Sequence, residues 1–546
     1  MTDAMNTTTM NLAETLVAAL RKHGVERAFG IPGGGSSLAL MSAFENQGID
    51  FVLTAGETPA AIMAAVTGLL TGSPGVVMTG VGPGAACAVN GMAYAALERA
   101  PLLLLADAAE AGAEAEGRSR HQVFDQSGIF APLAKARHRL RPEGAEAAAE
   151  ALVATALAPP QGPVFVEMDA ADAEAPAAAG EGTSGIEPPS LAVAAGDSAA
   201  ARDLLANARR PLVIVGLQAR PWAAALAELL RPLGCPVMLS YQARGVVAAD
   251  EPHYGGLFTG ANSEVNCLAE ADLLVLLGLD PVEPIPGPWR LDAPLLVLAE
   301  SLDKPYPVEP AVTLVGALPE IANQVLDGQS GFAWTLNEIA TIRQTLAARV
   351  AMAPEQDLNA ATVVAATVAA AQGGGRSGGR YCVDSGAHMF SAMALCPAEA
   401  PFSLLKSNGL STMGFALPAA LAAALDDPQR PVTAFTGDGG LIMCLGELAT
   451  AARLGCRLVL VVLNDGALSM IDVKQQRQQR HLGSLRYPRT DFASTARGLG
   501  WQAWRAEDAA ALESALAAAY AAEGPALVDA VIDPAAYAAQ FDALRG

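Results

Sequence analysis

PVTAFTGDGG (431–440), LIMCLGELATAARLG (441–455) and RLVLVVLNDG (457–466) decide the fold. The first and third are short runs of β-branched and aliphatic residues that close on glycine and aspartate. The middle one has the spacing of an amphipathic helix. Strand, helix and strand in that order predict a βαβ unit with parallel strands. The carboxyl ends of parallel strands open on one crevice, so Asp438 and Asp465, 27 positions apart, converge there. Oxygen ligands so placed suit Mg2+, which completes its octahedron with water and phosphate oxygens rather than with an all-protein cage. Gly437, Gly439 and Gly440 let backbone N–H groups approach a diphosphate, and the next helix N-terminus adds a favourable dipole. By itself GDGG is also an ordinary strand-to-helix turn; the second aspartate, one βαβ unit later, favours a site.

The same alternation extends in both directions. From Asn11 a first block runs to Met168, where PVFVEMD gives way to ADAEAPAAAGEGTSGIEPPS, a composition that cannot bury a core and reads as a linker. A second block carries PLVIVG, CPVMLS, DLLVLLG and PLLVLAE, continuous apolar runs expected of strands buried on both faces. A third comes after the connector LNAATVVAATVAAAQGGGRSGG and adds RYCVDSG and PALVDAVID to the unit around Asp438 and Asp465. The expected fold is α/β, with three doubly wound parallel-sheet domains over 1–172, 190–328 and 355–546. The Ala-rich stretches 107–117 and 507–522 read as solvated helices, Ala being the best helix former.

Charge and composition exclude several classes. Lys+Arg total 34 against 56 Asp+Glu, a net charge of −22 with no basic run, which is unsuited to holding nucleic acid or an anionic membrane. Hydrophobic residues at 52% and charged ones at 16% describe a chain with much buried surface rather than a disordered one. The seven cysteines are scattered without a CxxC pair, so no disulfide framework or zinc site is signalled and a reducing compartment is expected. The N-terminus lacks the basic and apolar regions of a signal peptide, and no run long enough to span a bilayer occurs; the expected location is cytoplasmic.

The paired strand ends resemble the motif of the thiamine diphosphate (ThDP) enzymes that act on 2-oxo acids: GDG, an interval of about two dozen residues, then Asn-Asn. The second Asn is Asp465 here. The resemblance is greatest to the acetolactate synthase large-subunit group. It implies Asp438, the Asp465 side chain and the Ala467 carbonyl as Mg2+ ligands, with Gly437, Gly439, Gly440, Leu468 and Met470 around the cofactor. In DSGAHMF (384–390) it implies His388 near the diphosphate. In KSNGLSTMGFALPAAL (406–421) it implies Met413 as the wedge that bends the cofactor into a V.

In the first block FVLTAGETPAAIMAAVTG (51–68) supplies Glu57, which the resemblance makes the catalytic glutamate that hydrogen-bonds the pyrimidine ring N1′ and favours its imino form. Without the third-block motif, Glu57 would be a helix-opening glutamate stabilised by the macrodipole. FGIPGGG (29–35), with Gly34, resembles the FGxPGG loop of acetolactate synthases, and TGVGPGAACAVNGMAYA (79–95), with Pro83, resembles their SGPGxxN segment. HQVFDQSGIFAPLAK (121–135) aligns Gln122 with a glutamine facing the reacting carbon, and His121 stands where acetolactate synthases carry Phe.

The implied reaction is addition of the cofactor's C2 carbanion to a 2-oxo acid and loss of CO2. The product then forms by protonation to an aldehyde or by addition to a second carbonyl acceptor. Two departures weigh against strict acetolactate chemistry. Lys474, in GALSMIDVKQQRQQR (466–480), replaces a Trp that selects the second oxo acid, and GLDPVEPIP replaces GARFDDR in the middle domain. The second departure, with LVLAESL at a strand end, makes FAD unexpected. The resemblance further implies a homodimer or homotetramer, each site built from the first block of one subunit and the third of another. The alternatives are a ThDP decarboxylase or hydroxyketone lyase with a non-pyruvate substrate, and a nucleotide-binding protein or NAD-linked dehydrogenase. Neither Gly-rich loop reads GxGxxG, which weakens the last.

Overall fold

Continuous apolar runs become central strands and amphipathic runs become edges. A computed structural model describes residues 10–109, 121–180, 186, 198–350, 358–373, 378–480 and 482–545. Two compact units result, Met1–Ser190 and Leu191–Gly546.

In the first unit β1 (Arg27–Ile31), β2 (Asp50–Leu53), β3 (Gly75–Thr79), β4 (Leu102–Asp107), β5 (Ala136–Arg139) and β6 (Pro163–Met168) form one parallel sheet in the order β2-β1-β3-β4-β6-β5. Every residue of β3 and β4 is buried, whereas the edge strands β2 and β5 are partly exposed. The helix Glu57–Thr71 lies against the sheet with an almost wholly apolar surface. It meets the helix Val89–Leu97 so closely that a Cβ on Gly91 would fall 2.3 Å from the Ala61 Cβ, which is why a glycine stands there.

The second unit holds two sheets. β7 (Pro211–Val215), β8 (Val237–Leu239), β9 (Tyr254–Leu257), β10 (Leu273–Leu277), β11 (Leu295–Ala299) and β12 (Val312–Val315) run β12-β11-β10-β7-β8-β9. This is the strand order of dinucleotide-binding sheets. β13 (Arg380–Val383), β14 (Leu404–Lys406), β15 (Val432–Gly437), β16 (Leu458–Asn464), β17 (Gln502–Ala506) and β18 (Ala526–Val531) run β14-β13-β15-β16-β18-β17. That order repeats the first sheet's pattern strand for strand. All seven residues of β16 are buried, as a strand covered on both faces requires.

The three doubly wound parallel sheets expected from the sequence are thus present. The segment read as a linker is structured where it begins. Asp169 caps the helix Ala170–Glu174 and pairs with Arg139, and Ala175, Ala177 and Ala178 bond the backbone of Leu12, Met10 and Pro142. Main-chain pairing and a cap, rather than apolar burial, order this stretch. Of the two Ala-rich stretches, 110–117 lies outside the described residues. The other forms the helix Ala509–Ala521, which is not wholly solvated because Leu512, Leu516 and Tyr520 face the core.

Candidate active site

In the first unit the candidate residues gather on loops at the carboxyl ends of the strands. Glu57 is half-buried at the start of its helix, where the extended Gly56 offers no side-chain cap. Its Oε1 lies 3.3 Å from where a Cβ on Gly84 would stand, so the loop bearing Pro83 rests directly against the carboxylate. Gly82, with φ +71°, has its missing Cβ direction 2.3 Å from the Gln122 carbonyl oxygen. Gln122 itself holds φ +62°, a conformation rarely seen without glycine, and the exposed side chains of His121 and Gln122 project from this loop. Glu57, Pro83 and Gln122 are therefore one cluster. Gly34 is exposed on the loop after β1, with nothing within 4 Å of its Cβ direction.

Two residues that build this cluster were not singled out from the sequence. Asp107, at the end of β4, accepts from the Gly35 N–H at 3.1 Å, the Ser37 N–H at 2.7 Å and both the Ser36 and Ser37 hydroxyls at 2.8 Å. It pins the glycine loop after β1 to the end of β4, across the intervening β3. Gln126 accepts from the Gly82 N–H at 2.9 Å and donates to the Asp107 carbonyl at 2.8 Å and to Glu167 at 2.7 Å. Its amide ties together the ends of three strands. The signal for Asp107 was present as the polar end of LLLLAD.

In the C-terminal sheet Asp438 follows β15 and Asp465 follows β16, as the βαβ reading requires. Asp438 Oδ2 accepts from the Gly466 N–H at 2.7 Å, which draws the two turns together, and Oδ1 accepts from the Gly439 N–H at 2.7 Å and the Tyr487 hydroxyl at 3.0 Å. Asp465 accepts from the Ala467 N–H at 3.1 Å and the Ser469 hydroxyl at 2.7 Å. Burial, and next the charge of Asp438, push the Asp465 carboxyl up to about 7; burial also raises Asp438. Two carboxylates repelling one another out of water are what a divalent cation relieves. Among the described residues no cluster of three acidic, His or Cys side chains forms, so a cation here would need the Ala467 carbonyl, water or phosphate to complete its shell.

The surroundings fit a diphosphate as well. Gly439 has no room for a side chain: Leu468 Cδ2, the Tyr487 hydroxyl and Met413 Cε lie 3.0, 3.0 and 3.4 Å from its Cβ direction. The His388 ring packs 3.4 Å from that of Gly437, fully buried, and its Nε2 has no hydrogen-bond partner. Burial lowers its pKa to about 4, leaving a neutral imidazole beside the turn. Met470 is half-buried against the core. Gly440 has a different neighbour, its Cβ direction meeting Asp384 Oδ2 at 2.7 Å. Asp384, also overlooked, accepts from the Ser385, Gly414 and Phe415 N–H groups and the Thr436 hydroxyl, and so fixes the turn that carries Met413.

The central sheet presents a crevice with different chemistry. After β7 the Leu217 N–H donates to Glu283 Oε2 at 2.9 Å, the Asp280 N–H donates to the same oxygen at 2.8 Å, and the Ser240 hydroxyl donates to Oε1. The carboxyl thus takes one backbone donor of the turn after β7, where this strand order offers a nucleotide phosphate its seat, and ties it to the ends of β8 and β10. A cavity of about 370 Å3 nearby is lined by Phe258, Pro284, Trp289 and Tyr306.

Residues 10–129 match the N-terminal TPP binding domain of the thiamine pyrophosphate enzymes, 198–319 their central domain and 384–530 their C-terminal TPP binding domain. The chain belongs to this family. It is 28% identical to an acetolactate synthase of Bacillus subtilis (strain 168) over 95% of this chain and 93% of that protein, and 29% identical to a catabolic acetolactate synthase of Raoultella terrigena over 95% of each. A probable 2-ketoarginine decarboxylase of Pseudomonas aeruginosa is 29% identical over 95% of this chain and 94% of its own length. Among solved structures, the ThDP-dependent 4-hydroxybenzoylformate decarboxylase of Rhodococcus jostii RHA1 shares the fold. Its TM-score is 0.78 at 23% identity, covering 96% of this chain and all of that one. The protein is therefore a ThDP-dependent enzyme acting on 2-oxo acids.

Proposed function

We propose that the protein is a ThDP- and Mg2+-dependent decarboxylating carboligase of acetolactate synthase type, joining a 2-oxo acid to a second carbonyl acceptor. The observation that carries this reading is the Asp438–Asp465 pair, drawn together through the Gly466 N–H, beside the crowded Gly439 and the partnerless Nε2 of His388. Asp438, Asp465 and the Ala467 carbonyl would hold Mg2+. Gly437, Gly439, Gly440 and His388 would border the diphosphate, and Met413, Leu468 and Met470 the rings. Bound ThDP supplies the carbon nucleophile and the electron sink for decarboxylation.

The protein's own residues bind, orient and move protons. Glu57 would exchange a proton with the pyrimidine N1′, and the loops of Gly34 and Pro83 would shape the space around it. Gln122 would donate to the substrate oxygen, with His121 a candidate acid or base. Because the family joins the first block of one subunit to the third of another, the reading includes a homodimer or homotetramer. A cytoplasmic location also belongs to it; among the described residues no helix is long and apolar enough to cross a membrane. Glu283, which takes the Leu217 N–H of the turn after β7, supports a reading without FAD.

A second reading, a decarboxylase or hydroxyketone lyase with a non-pyruvate substrate, is favoured by exposed Lys474 on the helix Ser469–Arg477 and by exposed His121. One experiment separates the two: CO2 release and product NMR with ThDP and Mg2+, offering pyruvate, 2-oxobutyrate, benzoylformate and glyoxylate, with and without acetaldehyde. Acetolactate from pyruvate supports the first reading. Free aldehyde from another acid moves the function to the second, and no turnover of any acid rejects both.

A further inference from the structure

Asp438 Oδ1 already receives two donors, the Gly439 N–H at 2.7 Å and the Tyr487 hydroxyl at 3.0 Å. A carboxylate oxygen has two lone-pair directions, so a cation reaching Oδ1 must displace one of them. The Gly439 N–H belongs to the helix start and cannot withdraw; the phenol can.

Tyr487 reaches Asp438 from a strap laid across the second turn. Its N–H donates to the Gly466 carbonyl at 2.9 Å, the Leu468 N–H donates to the Leu485 carbonyl at 3.0 Å, and Ala467 bridges Arg486 in antiparallel fashion. The hydroxyl also stands 3.0 Å from the Cβ direction of Gly439, within the space a diphosphate needs to reach that turn. One atom therefore covers both the cation's oxygen and the approach to the glycine. Two positions along, Arg489 Cγ lies 3.1 Å from the Cβ direction of Gly466, and the guanidinium's charge acts on both carboxylates.

We propose that Tyr487 is a latch on the cation site. Its hydroxyl stands where a cation would sit on Asp438 Oδ1, and Mg2+ with ThDP binds through that oxygen as the hydroxyl leaves. The inference rests on the reading of Asp438 and Asp465 as the Mg2+ ligands. A neutral phenol suits such a role because it satisfies a buried carboxylate without the full charge that would make displacement prohibitive.

Tyr487→Phe keeps the ring and removes the hydroxyl. Mg2+ is titrated into the full-length protein with saturating ThDP, and separately with inorganic diphosphate, by calorimetry. The variant should bind Mg2+ about fivefold to thirtyfold more tightly, the competing hydrogen bond being charge-assisted but partly exposed. Its melting temperature without ligand should not exceed that of the parent, and its rise on adding Mg2+ and ThDP should be larger. Tyr487→Leu, which also lacks the hydroxyl, should tighten binding in the same direction if Phe fails to fold. Equal or weaker Mg2+ binding in the folded variant overturns the latch while leaving the site reading intact. Failure of the parent to bind ThDP in a Mg2+-dependent way overturns both.

Discussion

Replacing Asp438 by Asn changes one oxygen to NH2 without changing shape, and the hydrogen bonds around the carboxylate set the cost. Three donors converge on it, the Gly439 N–H and Tyr487 hydroxyl on Oδ1 and the Gly466 N–H on Oδ2. The single amide oxygen keeps more bonds in the Oδ1 place, which turns the NH2 against the Gly466 N–H. A buried donor left facing a donor costs about 1–3 kcal/mol, and the turn carrying Asp465 and Ala467 must move to relieve it. The cation loses a formal charge as well; a unit pair at 4 Å is worth about 4 kcal/mol at an effective dielectric near 20. Relief of the repulsion on Asp465 returns part of this. The donor clash is present with and without the metal and so lowers the variant's stability, whereas the lost charge lowers Mg2+ affinity, by about 2–4 kcal/mol or about 30- to 10³-fold measured calorimetrically at saturating ThDP. The ligand-free variant should melt within a few degrees of the parent. A Kd within about threefold of the parent would refute the ligand assignment.

Glu57→Gln should leave Mg2+-dependent ThDP binding nearly intact while lowering kcat about 10²-fold or more; unchanged turnover removes Glu57 from catalysis. His388 is buried with its pKa lowered to about 4, so its contribution to stability is complete above about 6.5 and lost as pH falls toward 4. Asp384, raised to about 6 by burial, acts with the opposite sign, contributing below about 4 and losing that contribution as pH rises to 6. The stability difference between the parent and His388→Gln should therefore grow in the parent's favour from pH 4 to 6.5, by up to about 3 kcal/mol, and a pH-independent difference contradicts a neutral buried imidazole. Glu283 is pushed by burial up to about 8, so relative to Glu283→Gln the parent should lose stability as pH rises from about 4.5 to 8, by up to about 5 kcal/mol; parallel melting profiles would show that the carboxylate is not buried as described.

The sequence made the βαβ unit around Asp438 and Asp465 legible because both strands are short runs of β-branched and apolar residues and both close on Asp and Gly. Strand order was less so. That the first and third sheets share one order depends on which face each connecting helix takes, and the matching apolar runs of the two blocks carry no trace of it. The residues missed in the site share a cause. Asp107, Gln126 and Asp384 act through backbone N–H groups as many as 72 positions away, and an aspartate that caps a distant loop looks the same in sequence as one on the surface. Tyr487 reaches Asp438 only because the strap folds back over the Gly466 turn, a loop geometry with no periodicity to betray it.

Asp465, where the family pattern has Asn, gains meaning from those same contacts. An amide in its place would leave one carboxylate beside an anionic diphosphate; the second carboxylate makes the turn more negative and its own proton harder to lose. The fold answers locally, with the Ser469 hydroxyl and Ala467 N–H on Asp465, the Tyr487 hydroxyl on Asp438 and the Arg489 charge near both. None of these supplies the two positive charges that a diphosphate requires there. An anionic cofactor approaching this pair without a cation meets like charge at low dielectric, whereas Mg2+ arriving with it neutralises both partners at once. On the proposed reading, the second carboxylate makes this a site that a metal must complete, with Tyr487 and Arg489 of the strap set beside it.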